Sequence, residues 1–203
     1  MTPKKPHRAA KPRLQILIVD DHPMMREGLA QLIAQETDLA VCGEADSAGA
    51  ALQHIEKLKP DLAIVDISLK GSNGLELIKD LRALHPALAV LVISMHDESI
   101  YAERVLRAGG RGYVMKQEGG RTIMQAIRQV LNGQIHVSEK ISSQILEIYS
   151  GRRSSHSHSP IESLSDREFQ VFQLIGQGCG TRQIAGQLHL SVKTVEVHRM
   201  HIK

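Results

Sequence analysis

Three aspartates, a serine and a lysine in this sequence together have the chemistry needed for phosphoryl transfer. Each of the five ends or follows a short apolar run, and they are Asp20, Asp21, Asp66, Ser94 and Lys116. A carboxylate can accept a phosphoryl group, while a hydroxyl and an ammonium can neutralise the charge on its oxygens. Any one of them alone could be an ordinary loop, turn or solvent-facing residue. Their shared position after apolar runs favours a common site.

Asp66 is the best candidate nucleophile, because it stands alone at the end of the central run with the acidic pair Asp20 and Asp21 close by. Three neighbouring carboxylates need a cation to stay ionised together, and oxygen ligands suit Mg²⁺. Lys116 would hold one phosphoryl oxygen as a point charge, and Ser94 would donate a hydrogen bond to another. The sequence has no glycine-rich nucleotide-binding loop, so the phosphate must come from a partner protein or a small donor.

Five strand-helix repeats would bring these residues to one edge of a sheet. Short apolar runs rich in β-branched residues predict buried parallel strands, and the segments between them have helical length. The predicted strands cover 14–20, 39–45, 62–67, 88–94 and 112–115, and the predicted helices cover 23–35, 47–58, 74–84, 98–108 and 120–131. This pattern predicts a doubly wound, three-layer α/β domain, whose ligands bind at the carboxyl ends of the strands.

The composition also indicates where the protein works. Residues 1–13 hold five Lys and Arg residues with no acidic residue and no periodicity, which predicts a disordered basic tail. The apolar runs are far shorter than the ~20 residues needed to cross a bilayer, and no signal peptide is visible. Cys42 and Cys179 lie far apart in what look like separate domains. We therefore predict a reduced, cytoplasmic protein without membrane contact.

A small helical domain is predicted after a polar linker. Ser165 and Glu168 have the spacing of a capping box at the start of a helix. The predicted apolar face of that helix consists of Phe169, Phe172 and Ile175. We expect this face to pack in the small domain.

A second and third helix complete a helix-turn-helix pattern. Thr181 can cap a short helix over 182–188, and Ser191 can cap a third helix in which Val195 and Ile202 face inward. The residues left to face outward on the third helix include Lys193, Thr194, Glu196, Val197, Arg199 and Met200. Of these, Lys193, Thr194 and Arg199 suit contacts with DNA phosphates.

With these motifs the sequence resembles a bacterial response regulator of the NarL/FixJ type. Residues 14–131 look like a receiver domain of two-component systems, and residues 161–203 look like a LuxR-type helix-turn-helix. The motifs that carry the resemblance are the Asp20-Asp21 pair, Asp66 after its strand, Ser94, and the string Gly112-Tyr113-Val114-Met115-Lys116. The resemblance covers nearly the whole chain except the tail and the linker.

The resemblance implies a flavodoxin-like strand order of 2-1-3-4-5 and phosphorylation of Asp66 by a sensor histidine kinase. It implies Mg²⁺ at Asp21 and Asp66, with Asp20 assisting and a backbone carbonyl near Ser68 as a further ligand. It also implies a switch in which Ser94 moves toward the phosphate while Tyr113 turns inward. In the third helix of the small domain, it implies that the residues facing DNA bases are Glu196, Val197 and Met200.

We therefore expect a transcription regulator that is not an enzyme. When phosphorylated, it should form a homodimer and bind inverted half-sites in promoter DNA. Its predicted parts are a tail (1–13), a receiver domain (14–132), a linker (133–160) and a LuxR-type domain (161–203). LuxR-type domains resemble this one up to Lys203 and then continue to a further helix. We therefore expect the 203-residue chain to take up phosphate but to bind DNA weakly.

Two other classes of function remain open at this point. The first is a Mg²⁺-dependent phosphohydrolase with an aspartate nucleophile. Such enzymes usually carry a second catalytic aspartate two residues after the nucleophile, where this sequence has Ser68. The second alternative is a receiver that acts only as a protein-binding module. Phosphorylation by a small donor, followed by a DNA-binding assay, separates all three classes.

Overall fold

The computed structural model describes residues 12–69, 72–150, 161, 164–188 and 190–202. The predicted basic tail, apart from its last two residues, and the Ser- and His-rich part of the linker lie outside the described residues.

A parallel sheet of five strands forms the centre of the first domain. The strands of the chain are β1 (Leu14–Val19), β2 (Leu39–Ala45), β3 (Leu62–Val65), β4 (Ser68–Leu69), β5 (Ser72–Asn73), β6 (Ala89–Ser94) and β7 (Gly112–Met115). The sheet order is β2-β1-β3-β6-β7, and β4 pairs with β5 as a separate antiparallel hairpin. The predicted order 2-1-3-4-5 is therefore confirmed for the sheet, and the hairpin is an element that the sequence pattern did not predict.

Among the described residues, six helices accompany this sheet, at α1 (Pro23–Ala34), α2 (Ala48–Leu58), α3 (Gly74–Leu84), α4 (Glu98–Ala108), α5 (Gly120–Leu131) and α6 (Glu139–Tyr149). Alternate residues of each buried strand point to opposite faces, so the domain has two apolar cores. Ile16 and Ile18 of β1 pack with residues of α1 and α5, while Leu17 and Val19 pack with residues of α2, α3 and α4. The predicted three-layer architecture is confirmed.

The second domain consists of α7 (Asp166–Gly176), α8 (Thr181–Gln187) and α9 (Val192–His201). The predicted capping box is present, since the Ser165 hydroxyl accepts from the Glu168 backbone and the Glu168 carboxylate accepts from the Ser165 backbone. The predicted cap of α8 is wrong by one residue, because Gly180 occupies the N-cap and Thr181 is the first helical residue.

The predicted apolar face of α7 needs a larger correction. The core of the small domain is built on four buried residues, namely Val171, Ile184, Ala185 and Val195. Ile175 packs against this core, but Phe172 is 37% exposed and Phe169 packs with the first domain. Apolar periodicity identifies the residues of a helix that avoid water, but it does not say which neighbouring surface covers them.

Candidate functional site

Backbone pairing beyond the strands brings the predicted residues together. The Asp66 amide donates to the Val19 carbonyl at 2.8 Å, one residue past the end of β3. In the same way the Lys116 amide donates to the Ser94 carbonyl at 2.7 Å, one residue past the end of β7. The parallel ladder therefore continues into the loops and fixes these side chains on neighbouring strands.

A buried ion cluster lies at this edge of the sheet. Lys116 Nζ is 2.7 Å from Asp20 Oδ2 and 2.6 Å from Asp66 Oδ2, and no more than 6% of any of the three side chains is exposed. Burial alone would lower the pKa of Lys116, but the hydrogen bonds to Asp20 and Asp66 outweigh burial and raise that pKa. The lysine is therefore a fixed cation between two carboxylates, and each of the three charges depends on its neighbours.

The cluster has the donor atoms and the charge for a divalent cation. Ligand atoms of Asp20, Asp21, His22 and Asp66 all lie within 4.8 Å of one another. Within the described residues, Asp21 Oδ1 is buried without a hydrogen-bond partner, because His22 Nδ1 lies 2.8 Å away but not in hydrogen-bonding geometry. Three carboxylates and one ammonium leave two negative charges uncompensated. An oxygen-rich site of that charge fits Mg²⁺.

Gly74 is a residue of the site that the sequence reasoning missed. A Cβ at this position would lie 2.3 Å from the Asp66 carbonyl oxygen, so any larger side chain would displace the backbone next to Asp66. The Gly74 amide also donates to the Ile67 carbonyl at 2.9 Å. Asn73 caps α3, since its side-chain oxygen accepts from the Leu75 amide at 2.9 Å. An Asn-Gly pair before a helix was the available signal, and its closeness to Asp66 was not visible in the sequence.

The two predicted switch residues are both buried. Ser94 is fully buried at the end of β6, and Tyr113 is 1% exposed. The Tyr113 hydroxyl donates to the His96 carbonyl at 2.8 Å, and burial raises the pKa of this phenol. Tyr113 therefore already lies inward in this conformation and is attached to the loop between β6 and α4.

His96 is a second residue that the sequence reasoning missed. Its Nε2 lies 2.7 Å from the Ser68 hydroxyl, two residues after Asp66. Its ring stacks on Tyr101 of α4 with a centroid separation of 4.7 Å and an interplanar angle of 29°. Burial lowers the pKa of the imidazole. No sequence signal marked this residue, because both contacts depend on the tertiary fold.

The two domains contact each other through α3 and α4, and we call this contact the domain interface. It joins Lys79, Tyr101 and Arg104 of the first domain to Leu164, Asp166, Phe169 and Gln173 of the second. The Arg104 guanidinium donates to the Leu164 carbonyl at 2.9 Å and to Asp166 Oδ1 at 3.0 Å. It also lies 4.6 Å from the centre of the Phe169 ring.

Tyr101 contributes a second set of contacts to the domain interface. Its hydroxyl donates to Gln173 Oε1 at 2.7 Å, and its ring meets Phe169 edge-on at 5.4 Å. Burial raises the pKa of Tyr101 to about 12, so the phenol stays protonated and able to donate. A cavity of about 550 Å³ lies beside this contact, bounded by Asp21, Ser68 and His96 on one side and by α7 on the other.

The predicted DNA-facing residues are mostly exposed on α9. Lys193, Glu196, Val197 and Met200 are exposed, and Met200 is 65% exposed. Thr194 and Arg199 are half-buried. The Thr194 hydroxyl lies 2.7 Å from the Ser191 hydroxyl at the helix cap, and an Arg199 nitrogen lies 3.5 Å from the Thr181 hydroxyl. The domain interface uses α7, so it leaves the outer face of α9 open.

In the part of the chain that the structure describes, no helix is both long enough and apolar enough to span a membrane.

Two protein families match separate parts of the chain. Residues 16–128 match the response regulator receiver domain, and residues 162–203 match the bacterial regulatory proteins of the luxR family. Among curated relatives, the oxygen regulatory protein NreC of Staphylococcus haemolyticus is 32% identical, over 93% of this chain and 89% of the relative. The response regulator GacA of Pseudomonas aeruginosa is 35% identical, over 93% of this chain and 87% of the relative.

The chain is also similar to solved structures. One is RcsB from Salmonella enterica serovar Typhimurium bound to promoter rprA in the presence of the phosphomimetic BeF3⁻. It is 25% identical with a TM-score of 0.69, and the match covers 94% of this chain and 90% of that one. Another is a LuxR-family two-component response regulator from Aurantimonas, 34% identical with a TM-score of 0.63, over 68% of this chain and 99% of that one.

Proposed function

We propose that Asp66 is the phosphoryl acceptor of this chain, which belongs to the two-component response regulators with a receiver domain and a LuxR-type DNA-binding domain. Phosphorylation at Asp66 would then control the binding of promoter DNA. This family consists of DNA-binding transcription regulators and not of enzymes, which excludes the alternative of a phosphohydrolase.

The observation that carries this proposal is the bridge of Lys116, which follows β7, between Asp20 and Asp66, which follow the adjacent strands β1 and β3. In the proposed step, a carboxylate oxygen of Asp66 forms a bond to phosphorus. The bond between phosphorus and the donor breaks, and its electron pair leaves with the donor, which is the imidazole of a phosphohistidine for a histidine kinase. Lys116 stays protonated and can stabilise a phosphoryl oxygen, and Ser94 can donate to another.

We propose that Asp20, Asp21 and Asp66 hold Mg²⁺, with the backbone carbonyl of Ser68 as a further ligand. The Asp21 oxygen that makes no hydrogen bond and the excess of carboxylates over cationic side chains support this assignment. When bound, the cation neutralises charge that develops on the phosphoryl oxygens. Because phosphoryl transfer would depend on this neutralisation, chelation of Mg²⁺ should stop phosphorylation.

We propose that α9 reads DNA and that the phosphorylated protein acts as a homodimer. Lys193, Thr194 and Arg199 would contact phosphates, and Glu196, Val197 and Met200 would face bases. The exposure of the outer face of α9 supports this assignment. RcsB has been solved as two dimers bound to two parallel DNAs. A two-fold dimer of this chain would favour inverted half-sites about 34 Å apart.

Phosphate uptake by the full chain tests the acceptor. Incubated with acetyl phosphate and Mg²⁺, the wild-type protein should gain acid-labile phosphate, and Asp66→Asn should gain none. Asp80→Asn, which removes an exposed carboxylate on α3, is the matched control and should label like the wild type. EDTA should abolish the labelling. Undiminished labelling of Asp66→Asn would exclude this acceptor, and equal labelling in EDTA would exclude the proposed role of the metal.

A further inference from the structure

We propose that His96 is a positioning residue that couples the phosphorylation site to the domain interface. The inference rests on the proposed function and adds to it a route by which phosphorylation at Asp66 would alter the contact between the domains. The imidazole ring of His96 makes one contact toward each of these regions.

Toward the phosphorylation site, His96 holds the segment that follows Asp66. Its Nε2 lies 2.7 Å from the Ser68 hydroxyl, and the Ser68 amide donates to Asp66 Oδ1 at 3.2 Å. The His96 carbonyl accepts from the Tyr113 hydroxyl at 2.8 Å, and the His96 amide lies 3.5 Å from the Ser94 hydroxyl. A structural change at Asp66 or Ser94 would therefore affect His96 through contacts of both its side chain and its backbone.

Toward the domain interface, His96 supports Tyr101. The imidazole stacks on the Tyr101 ring at 4.7 Å, and the other contacts of Tyr101 include Phe169 and Gln173 of α7. Phe169 is only 3% exposed, so its cover depends on the position of Tyr101 and its neighbours on α4. A shift of the His96 ring would disturb a packed aromatic group that joins the two domains.

Coupling of this kind is reciprocal. If a phosphoryl group at Asp66 favours the undocked arrangement of the domains, then undocking must favour the phosphoryl group by the same factor. Since the outer face of α9 is already open, release of α7 would not uncover the recognition helix. It would free the DNA-binding domain to reorient toward a second copy of the chain.

The experiment measures docking in the full-length chain with a pair of labels. Cysteines replace the exposed residues Glu56 and Arg182, one in each domain, after both native cysteines have been changed to alanine. The distance between the labels reports the docked fraction with and without beryllofluoride and Mg²⁺. His96→Phe keeps an aromatic ring against Tyr101 but removes the contact with the Ser68 hydroxyl. Met95→Ala, at an exposed neighbouring position, is the matched control.

In the wild type and in Met95→Ala, we expect beryllofluoride to shift the docking equilibrium at least ~5-fold toward the undocked state, the lower end of common coupling factors. We expect His96→Phe to dock like the wild type and to bind beryllofluoride with similar affinity, but to show less than half of that shift. His96→Gln, which can keep the contact with Ser68 but loses the ring, should also lose the shift. Normal docking of His96→Phe would show that the variant is folded.

Three results would overturn the inference while leaving the proposed acceptor intact. The first is a wild-type shift in both His96 variants, and the second is beryllofluoride binding to the wild type without any shift. The third is loss of beryllofluoride binding in His96→Phe, because His96 would then belong to the binding site itself. A wild-type chain that fails to bind beryllofluoride would contradict the proposed acceptor and the inference together.

Discussion

The proposed phosphorylation site and the proposed recognition helix, α9, are organised in opposite ways. At the phosphorylation site, Asp20, Asp66 and Lys116 are almost fully buried and bound to one another. On α9, the side chains proposed to face bases are exposed. A group-transfer site needs charges that are fixed before the donor arrives. The side chains of a DNA-binding surface must instead remain exposed, so that they can contact DNA.

This contrast predicts that substitutions in the two regions affect different properties of the protein. Changes at the buried cluster should alter folding stability as well as chemistry, because an unpaired buried charge is costly. Changes on the outer face of α9 should alter DNA binding with little effect on stability. The domain interface lies between these extremes, since it is partly buried and joins two separately packed cores.

The largest effect is expected from Lys116→Ala. It leaves the buried carboxylates of Asp20 and Asp66 without their cation, so we expect a loss of about 3–5 kcal/mol in the free energy of unfolding. The measurement is urea denaturation in EDTA, followed by the same experiment with Mg²⁺, which should recover part of the loss. Lys140→Ala, at an exposed position, should change stability by less than about 0.5 kcal/mol. Equal stability of the two variants would contradict the account of a buried cluster.

An intermediate effect is expected from Arg104→Ala. The guanidinium makes charged hydrogen bonds to Asp166 and to the carbonyls of Ile161 and Leu164, so its removal should weaken docking by about 1.5–3 kcal/mol. The label pair described above measures this change. Arg107→Ala, which removes an exposed arginine paired with Glu103, should leave docking unchanged. If both variants dock alike, the domain interface is not held by Arg104.

The pH dependence of docking follows from Asp166. Burial alone would raise the pKa of this carboxyl, but hydrogen bonds from Lys79 and Arg104 outweigh burial and lower it. A lowered pKa in the docked state stabilises docking above the ordinary pKa of an aspartate. That stabilisation is lost as the pH falls through the docked value, which lies below 3.8. Asp166 therefore stays ionised between about pH 6 and 8, and it should not make docking depend on pH in that range.

The smallest effect on stability is expected from Lys193→Ala on α9. Stability should change by less than about 0.5 kcal/mol, because the side chain is exposed. The slope of log affinity for DNA against log salt concentration should decrease in magnitude by about one, which is the contribution of one phosphate contact. Titrations should start at low salt, where weak binding can still be measured. An unchanged salt slope would remove Lys193 from the proposed DNA contacts.

The sequence predicted that Asp20, Asp66 and Lys116 lie together, because their geometry follows from topology. Once β1, β3, β6 and β7 are parallel, the residues after Val19, Val65 and Met115 must meet at one edge of the sheet. The strand and helix bounds differ from the predicted bounds by only one or two residues. Local periodicity and the rule for parallel strands were sufficient for this part.

The missed features depend on tertiary contacts. Phe169 was predicted to pack in the small domain because it lies on an apolar face of α7. That face packs partly against the small domain and partly against the receiver domain, and the receiver domain covers Phe169. His96 carries no local pattern, and the Asn-Gly pair that marks Gly74 does not reveal its closeness to the Asp66 backbone. Periodicity cannot choose between two apolar surfaces, and spacing cannot reveal a contact made by an irregular loop.

Chemical mapping of the phosphorylated residue tests the central claim most directly. The wild-type chain is phosphorylated with acetyl phosphate and Mg²⁺, and the acyl phosphate is then reduced with borohydride, which converts that aspartate to homoserine. Peptide mass spectrometry locates the converted position. We predict conversion at Asp66 and at neither Asp20 nor Asp21. Conversion at Asp20 or Asp21, or at any residue outside this cluster, would contradict the account of the site.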